Sequence, residues 1–100
     1  MIAEYIVYIL YSAKLNGYYT GQTSNLEQRL EFHNTATSNK FTGKTNDWVV
    51  FHTISFQNKA QALSIEQHIK RMKSKTYIEN LKKYPEMNMK LLQKYNESDC

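Results

Sequence analysis

Five side chains in the first two thirds of the chain could take part in chemistry: Tyr8, Tyr19, Arg29, His33 and Glu66. Phenol and imidazole groups exchange protons and hydrogen bonds, a guanidinium binds anions through paired donors, and a carboxylate can hold a hard cation. Each residue also has an ordinary structural explanation. The phenols can be core aromatics, the arginine can lie over core leucines, and the glutamate can pair with a lysine one helical turn away. Taken singly, these structural explanations are favoured.

The first predicted element is a hairpin that carries five of the eight tyrosines of the chain. Residues 5–11 and 18–21 are rich in β-branched and aromatic side chains, and Asn16-Gly17 between them favours a turn. The loop is longer than two residues, so the turn type stays open. A buried phenol must find a hydrogen-bond partner, which Val, Ile or Phe would not need. Some of the hydroxyls are therefore expected to face a wet cleft.

A helix is predicted after the hairpin, because Ser24 can cap it and a glutamate three residues later completes a capping box. At about 100° per residue, Arg29 and His33 fall beside the apolar stripe of Leu26 and Leu30. Most surface arginines point directly away from such a stripe. Arg29 and His33 are therefore expected on the flank of the helix face that packs on the sheet.

The rest of the chain predicts one more strand and further helices. Residues 34–46 are polar and indicate a loop, and its length is typical of binding loops. Residues 48–54 form a third apolar strand, and Asn58 can cap a helix with Glu66 on the shoulder of its apolar stripe. Ser74 or Thr76 can end that helix and start another, and a proline further on opens the last helical segment.

The element order ββαβαα predicts an α/β fold of the α+β type, with a small three-stranded antiparallel sheet flanked by helices. Residues 1–95 are expected to form a single domain, and residues 96–100 a frayed C-terminal tail. The hydrophobic fraction of 41% favours a folded domain over a disordered chain.

Composition also argues against several classes of protein. No apolar run approaches the roughly 18 residues of a membrane span, and the N-terminus lacks the pattern of a signal peptide. A cytoplasmic protein without membrane association is therefore expected. The single cysteine, Cys100, excludes a disulfide framework, and the three histidines lack metal-ligand spacing.

Positive charge is distributed unevenly. The net charge is +4 and the pI is near 9.2. Residues 70–83 hold six basic side chains and one acid, and residues 32–46 hold Lys40 and Lys44 and no acid. This pattern is compatible with a polyanionic partner, but on charge alone a solvated basic helix face is at least as common.

The order of these motifs resembles the GIY-YIG endonuclease family. Ile6-Val7-Tyr8 stands eleven residues before Tyr19-Thr20-Gly21, as in the paired signature of that family. Residues 25–33 resemble the following helix of the family, in which an arginine points into the site. Glu66 lies where the family has its single metal-binding carboxylate. The resemblance extends over residues 5–81 and is strongest to the small stand-alone, single-domain bacterial branch.

Three positions bear on how closely the chain follows the family pattern. Ile6 replaces the glycine of the first motif, which is interpreted as a packing change because the chemistry belongs to the tyrosine. Gln22 stands where some members have a lysine, so one phosphate contact is expected to be weaker. Asn80 is the nearest candidate for an asparagine that several members use, and it is left out of the predicted site.

The resemblance implies a metal-dependent endonuclease that hydrolyses phosphodiester bonds in DNA with little intrinsic sequence specificity. Glu66 would hold a single Mg²⁺ or Mn²⁺ ion, Arg29 would clamp the scissile phosphate, and Tyr8 would act as general base. Tyr19 would orient the water or the phosphate, and His33 would assist Tyr8. A free phenol has a pKa of ~10, so Tyr8 would need positive charge beside it.

The DNA backbone is expected to contact lysines of the loop and basic residues of the helices, namely Lys40, Lys44, Lys70, Arg71, Lys73 and Lys75. Such contacts give affinity with little sequence preference. The chain is too short for a separate base-reading module, so target choice would come from substrate structure, as in DNA repair, or from a protein partner. Two alternatives stay open: a non-catalytic or partner-dependent nucleic-acid-binding module, and a protein-interaction domain.

Overall fold

The computed structural model describes residues 5–35, 45–56 and 58–95, and its sheet and helices confirm the predicted fold class. The strands are β1 (Tyr5–Ser12), β2 (Gly17–Thr23) and β3 (Val49–Phe56). The helices are α1 (Leu26–Thr35), α2 (Lys59–Met72), α3 (Lys75–Lys83) and α4 (Pro85–Lys94). The order of the described elements is ββαβααα, whereas the predicted order ββαβαα did not count the last helical segment as a separate helix. The additional helix is separate because the residue before a proline favours an extended conformation, and Tyr84 adopts one.

Several predicted features lie outside the described residues. These are most of the predicted loop, with Lys40 and Lys44 in it, and residues 96–100. Within the described part, α1 continues to Thr35, so the first two residues of the predicted loop are helical. None of the helices described has both the length and the apolar composition of a membrane-spanning segment.

The central strand of the sheet is β1, in the order β2-β1-β3, and both pairs are antiparallel. The register places Tyr8 opposite Gly21 and Leu10 opposite Tyr19. Because successive side chains of a strand point to opposite faces, Tyr8 and Leu10 share one face of the sheet while Val7 lies on the other. Different helices cover the two faces.

The larger core fills the face of the sheet that α2, α3 and α4 cover. Val7 and Ile9 of β1 lie there with Ile65 and Ile69 of α2, and all four are nearly fully buried. Burying an aliphatic side chain of this size contributes roughly 1.5–3 kcal/mol. This core therefore fixes the position of α2, and with it that of Glu66, against the sheet.

The smaller core lies on the opposite face, under α1. Tyr8, Leu10 and Trp48 are buried in it, and Leu26 and Leu30 of α1 pack against them. The leucine stripe predicted for this helix therefore contacts the sheet on the face that carries the Tyr8 phenol.

The junction between α2 and α3 is a sharp break at the predicted position. The side chain of Asn58 caps the start of α2 by accepting from the backbone N–H of Gln61, as predicted. At the other end, Lys73 adopts a left-handed conformation with φ 48°, and Ser74 caps α3 by accepting from the backbone N–H of Tyr77. The chain therefore changes direction within two residues.

The prediction that Ser24 caps α1 is wrong. The side-chain oxygen of Asn25 accepts the hydrogen bond from the backbone N–H of Gln28, at 3.1 Å. Thr23 fixes this cap in place, because its hydroxyl accepts from the backbone N–H of Asn25. Serine and asparagine are nearly equal as caps, so residue type alone could not separate the two neighbours.

Asp47 joins the hairpin turn to the segment that enters β3. Its carboxylate accepts hydrogen bonds from the hydroxyls of Ser12 and Thr45, both at 2.6 Å, and from the backbone N–H of Lys14 at 3.0 Å. These bonds favour the ionised form and hold the pKa of Asp47 well below its usual range. The carboxylate therefore fixes the start of β3 relative to the hairpin.

Candidate active site

The phenol of Tyr8 lies at the centre of the candidate site. The residue is 1% exposed, and its hydroxyl lies 2.8 Å from Nε2 of His33, which is itself fully buried on α1. Burial and the nearby charge of Arg29 lower the pKa of His33 below its usual value. At neutral pH the imidazole is therefore uncharged and can accept a hydrogen bond from the phenol through Nε2.

Gly21 makes room for the ring of Tyr8. A Cβ at this position would lie 2.5 Å from Oη and 2.7 Å from Cζ of Tyr8, distances that real Cβ atoms essentially never show. The phenol therefore crosses β2 at a point where only a hydrogen side chain fits. This approach gives the glycine of Tyr19-Thr20-Gly21 a steric role that does not depend on its backbone conformation.

Tyr19, from β2, stands over the same buried pair. Its ring centroid lies 4.8 Å from that of His33 and 6.5 Å from those of Tyr8 and Trp48. Trp48 is held by Asn34 at the end of α1, whose side chain donates to the Trp48 carbonyl at 3.0 Å and accepts from its backbone N–H at 2.8 Å. The role of Asn34 was not predicted, because Asn34 falls in the segment that the sequence indicates as a polar loop.

Arg29 is an exposed residue of α1 that acts on the buried phenol of Tyr8. It interacts with the phenol through both hydrogen bonding and charge, and its guanidinium carbon lies 4.9 Å from the ring centroid of Phe32. Burial has a larger effect than Arg29, however, and raises the pKa of Tyr8 to about 12. The phenol is therefore protonated at neutral pH, and Arg29 only partly offsets the cost of ionising it.

Glu66 reaches this group from α2. Its side chain is 13% exposed and lies 3.6 Å from Nζ of Lys70, the pairing that an ordinary structural explanation predicts. The same lysine lies 5.6 Å from the ring centroid of Tyr19, and the negative charge of Glu66 also acts to raise the pKa of Tyr8. Glu66 is therefore both an ion-pair partner of Lys70 and an electrostatic neighbour of Tyr8.

The five side chains come from both faces of the sheet. Tyr8 and Tyr19 belong to the face that α1 covers, whereas Glu66 belongs to the helix on the other face. Among the described residues, β2 pairs with a strand on only one side. Tyr19 of β2 contacts His33 of α1 and lies under Nζ of Lys70 of α2, so side chains of both helices reach this strand.

A single divalent cation is compatible with this set of donors. Among the described residues, no three His, Cys, Asp or Glu side chains are grouped to hold a metal ion. Mg²⁺ is commonly bound through one or two carboxylates and completes its shell with water and substrate phosphates. Glu66 fits such an open site and does not fit a closed structural metal site.

The basic residues of α2 and α3 separate into two groups. Lys70, Lys73 and Lys75 line a cleft of about 470 Å³ next to Tyr19. Arg71 does not line this cleft. Its charge acts on His68 instead, whose pKa is lowered most by burial, then by the charge of Lys94, and then by that of Arg71. Lys40 and Lys44 lie outside the described residues.

Comparisons with known proteins agree with the fold. A family model described as the GIY-YIG catalytic domain matches residues 4–84. UPF0213 protein OB0043 of Oceanobacillus iheyensis is 36% identical over 72 residues, which cover 72% of this chain and 83% of that relative. UPF0213 protein CPE1444 of Clostridium perfringens is 38% identical over 66 residues, 66% of this chain and 70% of the relative.

A solved structure is also similar. The solution NMR structure of UPF0213 protein BH0048 from Bacillus halodurans covers 86% of this chain and 93% of its own, with a TM-score of 0.51 and 26% sequence identity. The segment matched by the family model contains Tyr8, Tyr19, Arg29, His33 and Glu66.

Proposed function

The chain belongs to the GIY-YIG family of nuclease domains, and from that premise we propose that it is an endonuclease that hydrolyses phosphodiester bonds in DNA with one divalent cation and little intrinsic sequence specificity. One observation carries the proposal. The buried phenol of Tyr8 lies at hydrogen-bond distance from His33 of α1. Arg29 of α1 lowers the pKa of this phenol, and Tyr19 of β2 and Glu66 of α2 raise it. Phosphodiester hydrolysis needs a base, an anion clamp and a cation site, and these residue types can supply all three.

In the proposed mechanism Tyr8 removes a proton from the attacking water. The phenol must first give up its own proton, and Nε2 of the uncharged His33 is placed 2.8 Å away to accept it. The resulting hydroxide attacks phosphorus and the bond to the departing oxygen breaks. Burial opposes this step because it raises the pKa of Tyr8 to about 12, so the phenolate requires positive charge beside it.

Arg29 is proposed to bind the scissile phosphate and to stabilise the phenolate. Arg29 is an exposed residue, yet it interacts with the buried phenol of Tyr8. A guanidinium offers parallel donors that match two phosphate oxygens. Tyr19 is proposed to orient the water or the phosphate. A Mg²⁺ or Mn²⁺ ion held by Glu66 and by substrate oxygens would neutralise charge on the phosphate and on the departing oxygen.

The DNA backbone is proposed to lie along Lys70, Lys73 and Lys75, with further contacts from Lys40 and Lys44, which lie outside the described residues. Arg71 is expected to contribute less, because it acts on His68 and does not line the cleft. Lysine–phosphate contacts add affinity that falls with salt and does not select sequence.

The direct test is cleavage by the purified chain. Single-stranded, duplex and branched DNA are incubated with Mg²⁺, Mn²⁺ or EDTA, and the products are resolved by length. Cutting is expected with either metal and not with EDTA, and Glu66→Ala and Tyr8→Phe are expected to abolish it. Undiminished metal-dependent cutting by Glu66→Ala would contradict the proposed mechanism and would indicate a contaminating nuclease.

A second function is nucleic-acid binding without cleavage by the isolated chain. The pKa of about 12 at Tyr8 favours it, because the phenol of the free protein is a poor base at neutral pH. Salt-sensitive binding with no cleavage of any DNA form would support this function, and clear turnover by the isolated chain would exclude it.

A further inference from the structure

A cleft beside the candidate site combines an apolar floor with a basic rim. It has a volume of about 470 Å³ and lies between β2 and the junction of α2 and α3. Ile69 and Ile78 contribute to its floor, and Tyr18 and Tyr19 line it from β2. Small-molecule sites commonly measure roughly 300–1,000 Å³ and are mostly apolar with a few polar groups. The cleft has the size and lining of such a site.

The rim of the cleft carries three positive charges. Lys70, Lys73 and Lys75 all line it, and described carboxylates offset them only in part. Lys70 pairs with Glu66 at 3.6 Å, and Nζ of Lys75 donates to the neutral carbonyl of Asn16 at 2.5 Å. The carboxylate of Glu79, which accepts from the hydroxyl of Tyr18, also lies beside the cleft, so three lysines face two described acids. A ligand of this cleft is therefore expected to carry negative charge as well as a flat apolar part.

We propose that the cleft receives one unstacked nucleobase of the substrate strand, with the adjoining phosphates on the lysine rim. A groove that bound only backbone phosphates would need no apolar floor, whereas a nucleotide matches both parts of the lining. This inference rests on the proposed function and adds to it a subsite for the base. Nucleic-acid-binding proteins commonly combine aromatic and apolar contacts to bases with a positively charged track for the backbone.

The position of the cleft places this nucleotide next to the scissile phosphate. Tyr19 and Lys70 belong both to the cleft and to the candidate site, since Tyr19 faces His33 and Lys70 pairs with Glu66. The wall formed by α3 is tied to β2, because the hydroxyl of Tyr18 donates to Glu79 at 3.2 Å. A base held here must leave its stack, so the preferred substrates are strands in which at least one nucleotide is unpaired or easily unstacked.

The test is a binding experiment in EDTA, which does not depend on cleavage. The methyl groups of isoleucine are ¹³C-labelled in the full chain, and a thymidine trinucleotide is titrated against it and followed by NMR. Saturable shifts are expected for the methyls of Ile69 and Ile78. A trinucleotide with an abasic central residue is expected to bind at least fivefold more weakly, since stacking of one base is typically worth a factor of about 5 to 150.

Two variants with the same change of charge provide the control. Lys73→Gln removes a charge from the rim, and Arg71→Gln removes one from the neighbouring residue that lies outside it. Lys73→Gln is expected to weaken binding of the trinucleotide several-fold and to reduce the salt slope by about 0.7, whereas Arg71→Gln is expected to do neither.

Three outcomes would overturn the inference: equal binding of the abasic trinucleotide, binding that leaves the methyls of Ile69 and Ile78 unshifted, or no binding of either oligonucleotide. Metal-dependent cleavage that persists alongside any of these outcomes would leave the proposed nuclease function intact. Conversely, base-dependent shifts by a chain that cuts no DNA would support the cleft and refute the nuclease function.

Discussion

Replacing Gly21 with alanine is expected to disrupt the candidate site through a single methyl group. The added Cβ would lie 2.5 Å from Oη and 2.7 Å from Cζ of Tyr8, whereas ordinary contacts begin at 3.4 Å. The phenol would therefore have to move by about 0.9 Å. A displacement of that size is enough to break its 2.8 Å hydrogen bond with His33.

The expected cost follows from two effects. Forcing an extra methyl into a packed region typically costs about 1–3 kcal/mol. Leaving the Tyr8 hydroxyl or the His33 nitrogen buried without its partner costs about 1–3 kcal/mol more. A ring that moves to relieve the clash loses its hydrogen bond, so the two costs do not add in full. Gly21→Ala is therefore expected to lower the free energy of unfolding by about 2–4 kcal/mol.

Urea unfolding followed by circular dichroism and by the fluorescence of buried Trp48 measures this change. Gly17→Ala is a matched control on the same strand, because its Cβ would meet only the carbonyl oxygen of Leu15, at 3.7 Å. It is expected to change stability by less than about 0.5 kcal/mol. In a Tyr8→Leu background, which lacks both Oη and Cζ, the cost of Gly21→Ala is expected to fall by at least half.

Two results would refute the close approach of Gly21 and Tyr8. One is a Gly21→Ala variant as stable as Gly17→Ala. The other is a cost of Gly21→Ala that is the same with and without the Tyr8 phenol, which would assign the loss to the backbone of β2.

Three further predictions concern the base, a carboxylate and an amide. If the chain cleaves DNA with Tyr8 as base and His33 as the acceptor of its proton, kcat/KM is expected to rise with pH only until His33 is uncharged, below its usual pKa of about 6.5, and to stay level from pH 7 to 9. A rise that continues to pH 9 would show that the phenol of Tyr8, with its pKa of about 12, loses its proton to solvent and not to His33. Because the pKa of Asp47 is lower in the folded chain than its unfolded value of about 3.9, the ionised carboxylate stabilises the fold above that pH, and the stabilisation is lost as the pH falls. In urea unfolding, the stability advantage of the native chain over Asp47→Asn is therefore expected to shrink between pH 5 and 2. Asn34→Leu removes two hydrogen bonds to the backbone of Trp48 and is expected to lower the free energy of unfolding by about 1–3 kcal/mol. The fluorescence emission of Trp48 is expected to shift to the red, and unchanged emission would argue against a role of Asn34 in holding Trp48 in place.

The features that local chemistry controls could be predicted from the sequence. The hairpin follows from its β-branched and aromatic runs, the cap at Asn58 from its side-chain oxygen, and the break at Ser74 from its competing hydrogen bonds. The three-stranded antiparallel sheet followed from these elements in order. Ser24 and its neighbour Asn25 have the same capping chemistry, so the start of α1 was wrong by one residue.

The features that depend on distant contacts could not be predicted. Nothing in the sequence pairs Asn34 with Trp48, because the contact joins the end of α1 to the entry of β3. The net effect on Tyr8 also required the structure, since Arg29 lowers its pKa as expected but burial raises it more. The separation of Arg71 from Lys70 could have been found, because successive helical residues are about 100° apart.

The alternation of β1 links the chemistry of this protein to its hydrophobic packing. Tyr8 stands between Val7 and Ile9, and these neighbours fill the core on the reverse side of the same strand. Inserting or deleting one residue between Ile9 and the hairpin turn, while the turn stays in place, would exchange the sides. The aromatic hydroxyl would then be buried among aliphatic groups and a valine or isoleucine would face His33. Length changes within β1 should therefore abolish folding and chemistry together, whereas changes in the turn at residues 13–16 can leave both intact.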